Sequence, residues 1–142
     1  MEGMRGFLDR HAARLPRERT RFVVLESLGS PELILLEGEG MIRMRGYTPA
    51  LKETLAQAGE DAGHPLRRRL RTGLATDALL PLLAGYETAC IASCDQYKLA
   101  SNYHSQRDTP DRVDYGTVAR AVAVCERAVR RLSAGSAAPA PA

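Results

Sequence analysis

A chain of 142 residues, 44% hydrophobic and 26% charged, fits one globular domain with a sizeable core. A net charge of +3 without a long tract of one sign gives no reason to invoke nucleic acid. Three cysteines (Cys90, Cys94 and Cys125) exclude a disulfide framework, and no apolar run approaches the roughly 20 residues of a membrane-spanning helix. The first ten residues lack the apolar core of a signal peptide. Taken alone the chain reads as cytoplasmic, with the compartment open to any upstream signal or anchor.

In chain order, residues 2–14 read as a helix with Met4, Phe7, Leu8 and His11 on one face and Pro16 at its end. Arg21–Glu26 is a short apolar, β-branched run, expected as a buried strand with the acid at its carboxyl end. Leu33–Leu36 reads as a second strand, broken by Gly38 and Gly40. Thr48 and Pro49 make an N-cap and first turn for a helix over Ala50–Ala58. A strand around Leu66–Leu70 follows, then a Thr76-capped helix through Ala84, bent at Pro81. Glu87–Ser93 reads as a buried strand. Asp114 caps the last helix, whose apolar face is read as Val118, Ala121, Val122, Cys125, Val129 and Leu132. Residues 133–142 are low in complexity, and 134–142 are expected to be a disordered tail. Alternating strands and helices, with several continuously apolar strands, predict an α/β fold: a partial three-layer α/β/α sandwich around a mixed, mostly parallel sheet.

Some residues carry chemistry in this pattern. Glu26 at a strand's end can be a metal ligand, a base, or an edge acid facing water; functional residues gather at the carboxyl ends of strands in α/β folds. His104 sits in a polar loop between Tyr103 and Asp108, whereas His11 and His64 read as exposed side chains. A Cys90/Cys94/His104 zinc site lacks a fourth ligand, so the cysteines read as buried thiols. The Arg67–Arg71 cluster reads as a solvated face, since no aromatic residues interleave with its arginines for stacking on bases.

Three segments, in order, resemble the M28-type di-zinc aminopeptidases. Phe22-Val-Val-Leu-Glu-Ser-Leu-Gly29 is similar to that family's strand ending in an acidic metal ligand; Thr76-Asp77 through Gly85 looks like its Ser-Asp segment. Tyr103-His104-Ser105, with Asp108-Thr109 and Asp114-Tyr115, looks like its Tyr-His-Thr…Asp-Thr segment. The resemblance implies two zinc ions sharing a bridging water, with Glu26 on one metal and His104 on the other. It also implies Tyr103 as oxyanion support, Asp77 and Asp108 as supporting residues, and a peptide substrate losing its N-terminal residues. The family also uses an earlier histidine, a bridging aspartate and a Glu-Glu pair. No Glu-Glu dipeptide occurs in the chain, and the only histidine before Glu26 is His11. Residues 1–133 are therefore expected to be the C-terminal part of an M28-like peptidase domain, inactive alone and prone to self-association through an exposed sheet edge. The alternative is a non-catalytic α/β interaction module, a degenerate relative of the peptidases.

Overall fold

Residues 1–135 are described in the computed structural model. The apolar run Arg21–Glu26 forms β1, and Glu32–Glu39 forms a longer β2. Two residues, Arg45–Gly46, make β3; Arg67–Thr72 is β4 and Glu87–Cys94 is β5. The helices are α1 (Glu2–His11), α2 (Pro49–Asp61), α3 (Leu79–Leu83) and α4 (Tyr115–Gly135).

The five strands form one mixed sheet. β1 and β5 run parallel, with Glu26 opposite Ala92. β5 pairs antiparallel with the first half of β2, Glu32 to Leu35 opposite Cys94 to Ile91. The second half of β2 is flanked by antiparallel β3 on one side and parallel β4 on the other, because Gly38 is paired with both Gly46 and Arg71. The β2–β4 register slips around Leu36, and Arg69 takes a left-handed φ of 70° there, as a bulge requires.

Period-two alternation sends side chains to two different layers. Leu33, Leu35, Ala89 and Ile91 pack under α2 and α4, against Leu51, Leu55, Ala58, Ala121, Val124 and Ala128. Each fully buried leucine or isoleucine here contributes about 1.5–3 kcal/mol. Ile34, Leu36, Cys90, Ala92 and Cys94 face the other way, toward Tyr47, Ala78 and Leu82 of α3. On that side Phe22 stacks edge-on against Tyr86 and Phe7 of α1. Among the described residues, only the five-residue α3 and α1, none of whose residues is fully buried, lie as helices over this second face, so part of it stays open.

Several local expectations change. α1 is shorter than 2–14 and closes through a 3₁₀ turn, Ala12–Arg14. β1 is half-buried rather than buried, since its outer edge has no partner among the described residues. β2 continues through Gly38 to Glu39, because a glycine at 38 lets β3 approach: a Cβ there would collide with the Arg45 carbonyl oxygen. Thr48 is the N-cap residue of α2 as expected, but its hydroxyl makes no capping bond; it accepts the Thr88 N–H at 3.0 Å and ties the helix start to β5. Thr76 organises a turn, with its hydroxyl accepting the Ala78 N–H at 3.1 Å, and α3 begins only at Leu79.

Asp114 caps α4 as expected, accepting the Thr117 N–H at 3.0 Å. The buried face of α4 is Thr117, Ala121, Val124 and Ala128, while Val122 and Val129 are exposed. The face is turned by about one residue because small side chains at 117, 121 and 128 allow close approach to the sheet and to α2. The helix also carries the first residues of the expected tail, to Gly135; the remainder of that tail lies outside the described residues.

Candidate functional site

The open part of the second face is a cavity of about 500 Å³. Its floor is aliphatic: Ile34 and Leu36 of β2, Leu70 of β4, and Ala92 and Cys94 of β5. One wall is the Thr72–Thr76 connection, and the other is the loop after β5 with Lys98, Leu99, Ala100 and Tyr103. Glu26 and Ser27 enter from the carboxyl end of β1.

The loop after β5 is shaped by Asp95, whose Oδ1 accepts the N–H groups of Tyr97 at 2.8 Å and Leu99 at 3.1 Å. A chain of serines fastens it to the end of β1. The Ser93 hydroxyl donates to the Ser27 carbonyl and accepts the Ser30 N–H at 2.9 Å, and Ser30 Oγ accepts the Ser101 N–H at 2.7 Å. Four residues of these two loops, Ser27, Lys98, Asn102 and His104, hold left-handed backbone with φ between 49° and 66°. Such conformations persist where surrounding contacts enforce them, and they cluster at functional sites.

The structure brings together two of the residues singled out by the sequence. Glu26 and Tyr103 both line the cavity. Glu26 is half-buried and its Oε1 accepts the Ser27 hydroxyl at 2.9 Å. His104 is exposed and its ring lies against that of Tyr103, centroids 4.1 Å apart, without lining the cavity. Asp108 is exposed in the following turn. Asp77 stands beside the Thr76 wall, its Oδ1 buried 3.1 Å from the Met1 amino nitrogen and accepting no hydrogen bond in good geometry.

Among the described residues no three histidine, cysteine, aspartate or glutamate side chains are grouped to hold a metal ion. Cys90 and Cys94 are buried on one face of β5 while His104 is exposed, so that trio does not assemble. Glu26 and His104 are two candidate donors without a third, and a catalytic zinc takes three protein ligands. The donor set in this chain alone does not fit the metal.

A second polar centre went unnoticed in the sequence. Glu39, at the end of β2, is 0% exposed. Its carboxylate accepts the Tyr47 hydroxyl at 2.6 Å, the Thr76 hydroxyl at 3.2 Å and the Thr76 backbone N–H. Burial, then the neighbouring Cys90 and Glu39, raises the Tyr47 hydroxyl well above the usual phenol range, so it remains a donor. Burial, and then the Glu39 charge, pushes the Cys90 thiol up to about 12. This cluster fixes the Thr76 end of the cavity wall.

No protein-family model matches the sequence, and no curated protein matches it. Among solved structures, a glutaminyl cyclase from an Acidobacteriales bacterium aligns with a TM-score of 0.67 over 92% of this chain, at 18% identity. The chain spans 45% of the length of that structure. At this identity the likeness establishes the fold, an α/β arrangement of a mixed sheet flanked by helices.

Proposed function

We propose that the chain is the carboxyl-terminal part of an M28-like zinc aminopeptidase domain, one that hydrolyses the N-terminal bond of peptides, and that it is inactive by itself. The observation carrying this reading is the meeting of Glu26 and Tyr103 on one cavity, at the carboxyl ends of parallel β1 and β5. The strained loops around that cavity and the fold likeness support it. In this reading the Tyr103 hydroxyl donates to an oxyanion forming at the substrate carbonyl. The aliphatic floor offers the substrate an apolar surface beside that position, and Glu26 and His104 are the chain's contributions to a metal site completed elsewhere. These two donors alone do not hold the ion.

The test is calorimetric zinc titration of the chain together with an aminoacyl-nitroanilide assay. Weak zinc binding without turnover is expected; tight stoichiometric zinc with turnover would overturn the reading of the chain as a part. The lack of a third donor among the described residues equally favours a second reading, a non-catalytic interaction module. The coding sequence upstream of Met1 separates the two. An in-frame histidine, bridging aspartate and Glu-Glu pair support the enzyme, and a frame without them supports the module.

The outer edge of β1 leaves backbone N–H and C=O groups without a strand partner among the described residues. We propose that this edge drives self-association of the isolated chain, which sedimentation velocity at rising concentration would show. A concentration-independent monomer would refute it.

A further inference from the structure

The turn between β2 and β3 reads Gly40-Met-Ile-Arg-Met44 and leads into Arg45. Its backbone is pinned. Gly40 has φ 143°, a conformation open to glycine, and a Cβ there would collide with the Arg43 carbonyl oxygen. The Gly40 N–H lies 3.3 Å from the Thr72 carbonyl and 3.2 Å from that of Leu74. This anchored turn holds its apolar side chains outward: Ile42 is 103% exposed and Met41 76%, with Met44 and adjacent Leu74 also exposed. Four large apolar side chains on one projection mark an interaction surface.

Three arginines surround them. Arg45 is in register with Glu39, and Arg71 with Gly38, so they flank the end of β2 from opposite sides; Arg43 sits within the turn. None of the three has an ion pair or a side-chain hydrogen bond among the described residues. Arg67, Arg68, Arg130 and Arg131, in contrast, are all paired with acids. The acids nearest in sequence are already engaged. Glu37 is bound by Lys52 and Arg68, and Glu39 is turned inward to Tyr47 and Thr76. The projection is therefore apolar and positively charged.

We propose that this turn is a peripheral contact for an anionic lipid surface. Met41, Ile42, Met44 and Leu74 enter the boundary between headgroups and acyl chains, while Arg43, Arg45 and Arg71 meet lipid phosphates. A fluid bilayer accepts a convex apolar projection without a matching pocket, and the unpaired cations complement its charge. No described helix is long and apolar enough to cross a membrane, so the contact is superficial. β2 runs antiparallel to β5, which puts the turn at the opposite end of the sheet from Glu26, while Arg71 and Leu74 beside the turn also line the candidate cavity. The inference therefore does not rest on the proposed peptidase chemistry.

The experiment is co-sedimentation of the chain with vesicles of phosphatidylcholine alone or mixed with phosphatidylglycerol, with a vesicle-free control for self-association. Binding is expected on the mixed vesicles and weakens with added salt. Ile42→Asp and the double variant Arg43→Glu/Arg45→Glu should each weaken it by more than about tenfold, with circular dichroism unchanged because these side chains face solvent. Three results would overturn the proposal: no binding to the anionic vesicles, equal binding to the neutral ones, or binding that survives both variants. Loss of self-association in Ile42→Asp without any vesicle binding would assign the turn to a contact between copies instead.

Discussion

Two glutamates end strands that are consecutive in the chain, at opposite ends of one sheet, and the fold treats them in opposite ways. Glu26 ends β1 half-exposed, with a single hydrogen bond from the neighbouring Ser27. Glu39 ends β2 fully buried, with donors from Tyr47 and Thr76 converging on both oxygens. A buried carboxylate persists only where such donors replace water. Glu39 is thus committed to structure, whereas Glu26 keeps lone pairs open toward the cavity.

Substituting each acid breaks this comparison most directly. Glu39→Ala leaves the Tyr47 hydroxyl and the Thr76 N–H unpaired beside a void, and should destabilise by about 3–5 kcal/mol in urea unfolding. Glu26→Ala should cost less than about 1 kcal/mol, as surface changes do. Equal losses at the two positions would show that Glu26 is structural. Glu39→Gln sharpens the result. The amide carbonyl can still accept from Tyr47, but its NH₂ group then faces the Thr76 N–H, at a cost of about 2 kcal/mol. Tyr47→Phe removes one donor and keeps the packing, so about 1–2 kcal/mol is expected.

The same contrast explains what could be read from the chain. Glu26 was legible because four apolar residues precede it and make a strand whose end is local information. Glu39 was not. Gly38 and Gly40 read as breakers, and only the approach of β3 shows why a strand tolerates Gly38. Its donors lie 8 and 37 residues away, separations to which periodicity is blind. The signal available was an acid at the end of an apolar run with a tyrosine soon after it. The cavity was equally hidden, because β1, β2, β4, β5 and two loops must meet to form it. On α4 the helix, its Asp114 cap and the inward Ala121, Cys125 and Leu132 were plain, whereas Val122 and Val129 were misplaced. Hydrophobicity favoured Val122 and Val129, and close packing favoured Thr117 and Ala128.

Glu37 lies between the two extremes and gives the smallest expected effect. It is mostly buried, two residues before Glu39, and Lys52 binds it in an ion pair in which the Glu37 and Lys52 side chains are only 18% and 12% exposed. The hydrogen bond from Lys52 holds the Glu37 carboxyl below its ordinary 4.5 against the opposing effect of burial, with the Arg69 N–H and the Arg68 charge assisting. A carboxyl depressed in the folded state binds its proton more weakly there than in the unfolded chain. Its contribution to stability is therefore complete above about 4.5 and is lost as pH falls below that value toward the folded pKa. Urea midpoints should decline through that window, and in Glu37→Gln the decline should be shallower while the stability at neutral pH is lower. An unchanged slope in the variant would mean that other carboxyls, rather than the pair joining β2 to α2, set the acid sensitivity of the fold.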